Sequence, residues 1–377
     1  MRRQLTPDVA RGLALGFIAI ANVMLYLHDR PYGMRQHLVE DAGADQIVTF
    51  ATVTLVDARV YPLFALLLGY GIAGLYATDP MPLGVRRLRR RGLALLLFGA
   101  VHGLLLFSGD ILGLYGLLTL AFIPVLRWPQ RRLLIAAGAL IVPCALVQGV
   151  AFSDPGPTMQ RMILWSIGIA DPVEALAWRP LEWAMGMVGM LGVVPAVLIG
   201  VWAGRLDLLA RPTEHKRLLR AVGIGGALTG VLGGIPAAAV AVGTWDLSSG
   251  PAAVAVSTLH VATGILGGIG YAALIAIACT RPRFASSRVA SALTAVGERS
   301  LTCYLLQSVL MVPLLAAWTL GWGGVIGSAQ ALLVALAVYA TTICAALWMR
   351  HRHNLRPAEQ LLRRFVNRPR ILSEALP

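Results

Sequence analysis

The stretch RRLRRRGLALLLFGAVHGLLLF, residues 86–107, decides how the chain is to be read. Arg86, Arg87, Arg89, Arg90 and Arg91 stand directly before an apolar run, 92–107, whose one ionisable side chain is His102. Arginines crowded against an apolar run mark the cytoplasmic end of a membrane-spanning segment. Inside hydrocarbon every backbone N–H and C=O needs an internal partner, so a run of this kind is a helix.

The rest of the chain repeats the pattern. Of 377 residues, 57% are hydrophobic and 13% charged, with a mean hydropathy of +0.72. Soluble domains carry about 25% charged residues. With ~20 residues needed per crossing, the spacing predicts an all-α polytopic transmembrane bundle of ten spans. These are placed at 9–27, 47–76, 92–107, 110–126, 132–152, 181–203, 219–243, 252–279, 290–318 and 325–348. Ser108-Gly109-Asp110, between the third and fourth, reads as a tight turn near the membrane surface. The transmembrane domain then occupies 1–350, and 351–377 forms a basic amphipathic cytoplasmic tail lying on the inner membrane surface. The run after Met1-Arg2-Arg3 is expected to stay as the first span, since no small-residue cleavage site leads into a soluble domain.

Lys and Arg test this arrangement. All but five of the 32 fall in segments placed on one side, from Arg2, Arg3 and Arg11 at the start to Arg368 and Arg370 at the end. The five on the other side are Arg30, Arg35, Arg59, Arg161 and Arg179. Both termini are therefore expected in the cytoplasm. Two long outer segments follow. One, 28–46, carries His28, Asp29, His37, Glu40, Asp41 and Asp45; the other, 153–180, carries Asp154, Asp171 and Glu174, with an apolar piece at 162–170 expected along the interface.

The formal charge of +14 does not indicate nucleic acid, because the basic residues sit in short loops beside apolar runs, where they meet anionic headgroups. Cys144, Cys279, Cys303 and Cys344 lie in apolar runs without C-x-x-C spacing and read as packing residues. No P-loop, H-E-x-x-H or G-x-S-x-G motif occurs, and metal ligands do not cluster at recognised spacings, so no metal is expected. Gly12/Gly16, Gly99/Gly103 and Gly226/Gly230 are small-residue pairs suited to close helix packing. The repeat of Arg11-Gly12-Leu13-Ala14-Leu15 as Arg91-Gly92-Leu93-Ala94-Leu95 is accounted for by a composition rich in Leu, Ala and Gly.

An ionisable residue inside a span is costly and is a functional candidate. His102 lies ~7–8 Å below the outer surface at helix rise. A helical hairpin would bring Asp110, and Tyr115 beyond it, within reach of its ring. A carboxylate that orients a histidine suits general-base chemistry; His102 could equally do no more than hydrogen-bond a neighbouring helix. Asn22 could donate to an oxyanion or tie helices together. His260 and Gln307 face the same choice. Asp57 and Arg59 are expected to pair with each other, and Asp8 with Arg11 one turn away.

Taken together, these residues resemble the YeiB-like bacterial membrane proteins (domain of unknown function 418). Asp8-Val9-Ala10-Arg11-Gly12-Leu13-Ala14 followed by Asn22 resembles that family's opening. Phe64-Ala65-Leu66-Leu67-Leu68-Gly69-Tyr70-Gly71 is similar to its F-S-x-L-F-G-x-G segment. Arg86-Arg87-Leu88, His102 and Gly109-Asp110-Ile111-Leu112 with Tyr115 resemble its R-R-L…H…G-D-I-L-x-x-Y block. Ser300-Leu301-Thr302-Cys303-Tyr304-Leu305-Leu306-Gln307-Ser308 and Arg356-Pro357-Ala358-Glu359 complete the likeness, with Cys303 where Asn is usual and Arg356 where Gly is usual.

The family is more distantly similar to the transmembrane acyltransferase superfamily that includes heparan-α-glucosaminide N-acetyltransferase. That likeness implies transfer of an acyl group, often acetyl, from acyl-CoA to a hydroxyl or amine of a small-molecule, sugar or lipid acceptor. It also implies a catalytic histidine in the first outer loop, for which His28 and His37 are candidates beside His102. Asn22 and Asp110 complete the expected catalytic set, with Arg59, Tyr115 and Gln307 expected on the substrate. Arg86, Arg87 and Arg90 are expected on the phosphates of acetyl-CoA or another acyl-CoA. Association of copies of the chain stays open. The rival class is a transporter or exporter of a small molecule or lipid, which glycine-rich spans with a few buried polar groups suit as well.

Overall fold

The computed structural model describes residues 5–41, 43–78, 82–153, 161–247, 250–352 and 354–367. Arg2, Arg3, Asp154, Arg368 and Arg370 lie outside the described residues, as does the end of the expected tail. The helices are α1 Leu5–Leu25, α2 Gly43–Leu55, α3 Val60–Thr78, α4 Leu83–Leu105, α5 Leu112–Ala121, α6 Gln130–Ala151, α7 Pro172–Gly189 and α8 Val194–Arg205. They continue as α9 Lys216–Ala241, α10 Pro251–Cys279, α11 Pro282–Ala285, α12 Arg288–Gly297, α13 Ser300–Leu315, α14 Ser328–His351 and α15 Pro357–Val366. Among the described residues the one element of extended pairing is an isolated bridge between Tyr32 and Leu38.

Helices stand at every expected span. Among the described residues, seven stretches are long and apolar enough to cross a membrane: Leu5–Leu25, Gly43–Thr78, Gln130–Ala151, Pro172–Arg205, Lys216–Ala241, Pro251–Cys279 and Ser328–His351. Leu112–Ala121 and Ser300–Leu315 are apolar but shorter, and the first turns of α4 carry the arginine cluster. Apolar side chains point outward from α6 (Ile135, Val142), α9 (Leu228, Leu232) and α14 (Leu333, Leu336), each well exposed. Contiguous apolar surface of this extent belongs against lipid, since water would penalise it.

Four of the expected spans are broken. The second divides at 56–59, where Ala58 adopts a left-handed φ of 59° and its N–H donates to Asp57 Oδ1 at 2.8 Å. The fourth ends at Ala121 and passes into a 3₁₀ turn, Pro124–Arg127, because proline cannot continue the ladder. The sixth divides between α7 and α8 at the 3₁₀ turn Leu191–Val193, and the ninth at Glu298–Arg299. The apolar piece 162–170 does not lie along an interface. Leu164, Ser166 and Ile167 are buried, and the Ser166 N–H and hydroxyl both donate to Glu182 on α7 at 2.6 Å.

Charged side chains separate the two ends of the bundle. At one end Arg161 donates to the last-turn carbonyl of Met24 on α1, and Arg179 to Leu104 and Leu105 at the end of α4. At the other, Arg205 binds the carbonyls of Leu126 and Trp128, Arg90 reaches Val366, and Arg299 reaches Leu355. Each closes helix-end or turn carbonyls that would otherwise lack a donor. Asp8 pairs with Arg11 at 3.2 Å, as expected, on this second end. The start of α1 and the whole of α15 thus share one end, and α15 packs on α4 and α13. Glu359 of α15 accepts from the backbone of Leu301 and Thr302 and from the Thr302 hydroxyl at 2.6–3.0 Å, closing the N-terminus of α13.

Close packing uses the expected small residues. Gly226 and Gly230 of α9 lie on Gly267 and Gly270 of α10, and a Cβ on Gly99 of α4 would run into the backbone of Gly113 on α5. Gly74, by contrast, faces open space. Gly99→Ala is therefore expected to lower stability by about 1–3 kcal/mol through overpacking. Gly74→Ala should be neutral or gain about 0.4–1 kcal/mol from a less free unfolded chain. Thermal or denaturant unfolding in nanodiscs, followed by tryptophan fluorescence, separates the two.

Candidate functional site

The α4–α5 hairpin does bring histidine and carboxylate together. His102 Nδ1 lies 2.8 Å from Asp110 Oδ1, and both side chains are buried. Asp110 Oδ2 accepts from the Gly113 N–H at 2.7 Å and, more weakly, from the Trp183 indole at 3.4 Å. The other ring nitrogen, Nε2, lies 2.8 Å from the hydroxyl of Ser308 on α13. A carboxylate from the α4–α5 turn, an imidazole from α4 and a hydroxyl from α13 thus form one buried line. The His102 ring also packs on Tyr304, centroid to centroid 5.0 Å.

Tyr304 forms part of the wall of a cavity of about 620 Å³ enclosed by α1, the break between α2 and α3, α6, α7 and the outer segments. Asn22, half-buried on α1, lines it. So do Arg35, Gln36 and His37 from the first outer segment, Asp57 from the helix break, and Tyr61, Gln148 and Glu182. Arg35 grips Asp57 with two parallel bonds, Nε to Oδ2 at 2.9 Å and Nη2 to Oδ1 at 3.1 Å. Burial works against the charge on Arg35, but the Asp57 carboxylate more than offsets it, holding the guanidinium above its ordinary range.

His37 Nε2 stands 4.0 Å from Asp57 Oδ2. Burial pushes the His37 imidazole down to about 4, Arg35 and Arg161 add to the shift, and Asp57 opposes it. The ring is therefore neutral at pH 7 and can accept a proton, with a carboxylate beside it to stabilise the cation once formed.

The structure distributes the other candidates as follows. His28 faces away from the cavity, with Nδ1 2.8 Å from Asp29 and Nε2 3.2 Å from the Leu315 carbonyl. The expected pairing of Asp57 with Arg59 is replaced. The Asp57 carboxylate takes Arg35, and His260 Nε2 approaches it at 3.6 Å. Arg59 turns to the carbonyls of Val53, Asp57 and Gly230 and to the His260 ring, because the helix break leaves acceptors there that need donors. Tyr115 is buried against Phe64 at 6.0 Å, and Gln307 donates to the Leu15 carbonyl at 3.1 Å. Arg59, Tyr115 and Gln307 thus lie off the cavity wall. Arg86, Arg87 and Arg90 occupy the start of α4 at the opposite end of the bundle, Arg86 and Arg87 exposed.

Ser308, Asp57, Arg35, Gln36 and Glu182 are members of the site that sequence reasoning did not assign. Glu182, an acid inside an apolar run, met the criterion that singled out His102. Ser308 lay in plain view in the motif, but nothing in the chain announces that it meets a residue 206 positions away. Among the described residues no group of three or more His, Cys, Asp or Glu side chains could hold a metal ion.

Comparison with known proteins places this geometry in a family. Residues 203–369 match the family model described as "Protein of unknown function (DUF418)". The chain is 23% identical over 388 aligned positions to the uncharacterized protein YxaH of Bacillus subtilis (strain 168), covering 91% of this chain and 89% of that one. It is 35% identical over 128 residues to the uncharacterized protein YeiB of Escherichia coli (strain K12), covering 32% and 30% of the two chains. The family match covers the block that carries α13, α15 and Ser308, and these likenesses together support a YeiB-like DUF418 family.

Proposed function

We propose that the chain is an acyltransferase of the bacterial cytoplasmic membrane, crossing it ten times with both termini inside. It moves an acyl group, foremost acetyl, from acyl-CoA to a hydroxyl or amine acceptor. The observation that carries this reading is the buried His37 imidazole on the wall of the same cavity as the Asn22 amide, its Nε2 4.0 Å from the Asp57 carboxylate. His37 takes the proton of the acceptor as its oxygen or nitrogen attacks the thioester carbon. Asn22 donates to the carbonyl oxygen as it becomes an oxyanion. The C–S bond breaks, and His37 returns its proton to the departing thiolate. Asp57 stabilises the imidazolium between those two events.

The phosphates of the acyl-CoA fit the inner end of α4, where Arg86, Arg87 and Arg90 offer donors only. Residues 86–90 stand ~18–24 Å along the helix from His102, so an extended acyl donor has to reach through the bundle from inner face to outer cavity. The Asp110–His102–Ser308 line sets the position of Tyr304 from behind; His102 is the second place to seek the base.

Incubating the full-length protein in nanodiscs with labelled acetyl-CoA and hydroxyl or amine acceptors tests this, labelled product being expected. Movement of solute across vesicles without acylated product would favour an exporter instead. His37→Gln should lower turnover by about 10²–10⁴-fold while leaving acyl-CoA binding and the unfolding midpoint near wild type. Loss confined to His102→Ala would transfer the role of base to that residue. Asn22→Ala should reduce the rate by about 10²–10³-fold with acyl-CoA affinity retained, as single-turnover and equilibrium binding measurements would show.

The buried, neutral His37 also links stability to pH. Its folded-state pKa of about 4 lies below the ordinary 6.5. Between those values the unfolded chain holds the extra proton, so the stabilisation is fully present above about pH 6.5 and declines towards about pH 4. The unfolding midpoint of the wild type should fall over that window, and more shallowly in His37→Gln.

A further inference from the structure

We infer that the acceptor taken by this cavity is anionic: a hydroxyl or amine compound bearing a carboxylate or phosphate group, held by Arg35 and Gln36 on the wall, with Arg161, next to the wall residue Met162, adding its charge. The inference rests on reading the cavity as the acceptor site and names the chemical class of that acceptor.

Arg35 and Gln36 are consecutive non-glycine residues in the left-handed region, at φ 61° and 60°. Such a conformation costs about 1–2 kcal/mol per residue, and it persists where the surroundings impose it, most often at functional sites. Here the Gly33 N–H to His37 carbonyl bond at 2.8 Å, the Arg35 N–H to Phe152 carbonyl bond at 3.3 Å and the grip on Asp57 impose it. The result is two adjacent donor side chains on the cavity wall.

Both keep a donor in reserve. The Gln36 Oε1 accepts from the Met162 N–H at 2.9 Å, which fixes the amide orientation and leaves the buried Nε2 without a hydrogen bond. Arg35 uses Nε and Nη2 on Asp57; its Nη1, buried with Tyr61 nearby, makes none. Arg161 precedes the wall residue Met162. It places Nη2 on the Met24 carbonyl at 2.7 Å and lies over the Tyr32 ring at 4.7 Å. Its Nε and Nη1 are buried without hydrogen bonds, and it has no carboxylate partner among the described residues.

Every one of these unsatisfied atoms is a donor. Leaving a buried donor unmade costs about 1–3 kcal/mol, more for a charged one, so the cluster calls for a ligand built of acceptors. The nearby carboxylates are already engaged. Asp57 has Arg35 and the Ala58 N–H, and Glu182 has Ser108 and both polar atoms of Ser166. Glu182 is met only by neutral donors, with Arg179 the cation in its field, and Arg161 is the guanidinium at this end without a carboxylate partner among the described residues. An anion bound there also offsets the two guanidiniums that depress His37, making its ring more basic when the acceptor is in place.

The test uses the full-length protein in phosphatidylcholine nanodiscs with a matched pair of probes, glycerol 1-phosphate and glycerol, followed by tryptophan fluorescence and the unfolding midpoint. A lipid source is tested by exchanging phosphatidylcholine for phosphatidylglycerol. Either the soluble phosphate should bind at least ten-fold more tightly than glycerol, or phosphatidylglycerol should raise the midpoint. Gln36→Glu keeps the acceptor for Met162 and replaces the spare donor with an acceptor. It should weaken the effective phosphate probe by about ten-fold and leave glycerol unchanged.

Equal response to both members of both pairs in the wild type would overturn the inference without any variant. An effective phosphate probe whose affinity survives Gln36→Glu would overturn the assignment to this cluster. Acyl transfer to neutral acceptors alone would sink the anionic class and spare the proposed reaction. Phosphate binding without acyl transfer would do the reverse.

Discussion

The bidentate pair between Arg35 and Asp57 is the constraint on which the rest of the site depends. It joins an outer segment with little regular structure to the point where a membrane helix is broken. Two ions withdrawn from water are expensive, and removing one partner of such a pair typically costs 3–5 kcal/mol. The pair thereby fixes Arg35, the left-handed turn through Gln36 and the position of His37 in a single step. The break at 56–59 is stabilised from the other side by Arg59, whose guanidinium fills the Val53 and Asp57 carbonyls that an uninterrupted helix would have satisfied itself, and ties the break to the Gly230 carbonyl of α9. Non-helical backbone at this depth is tolerated where protein buries it or a cavity adjoins it, and both conditions hold here.

Two polar constructions therefore meet at one place without merging. The Asp110–His102–Ser308 line is built from helices and is closed, each member partnered by the next. The Arg35–Asp57–His37 group is built from a loop and a helix break and opens on the cavity. Tyr304 stands between them, its ring against His102 on one side and the cavity on the other. This division gives rigidity to the helical set and access to the cavity to the loop set, the usual relation between a scaffold and the segments it carries.

Much of the architecture was legible in the chain because lipid enforces a strict rule: apolar runs must be helices, and arginines stay at one end. The separation of Arg90, Arg205 and Arg299 from Arg161 and Arg179 followed from that rule. The breaks were legible only in part: each interruption carries the sole charged pair of its run, Asp57 with Arg59 in 47–76 and Glu298 with Arg299 in 290–318, but a charged pair does not announce a left-handed Ala58. The His102–Asp110 contact could be anticipated because a short hairpin leaves few alternatives. The partner of Asp57 could not, because local spacing favours Arg59 while the tertiary fold supplies Arg35. Gln36 carried no signal at all, since its significance lies in a backbone angle and an idle amide.

The bond between Glu359 and the start of α13 has a consequence for biosynthesis. The N-terminus of the helix bearing Tyr304 and Ser308 is closed only when Glu359, 58 residues beyond Leu301, has emerged from the ribosome and folded back onto it. The earlier helices can enter the membrane in turn, but the chamber they surround gains the Tyr304 wall in its final place only once that return contact is made.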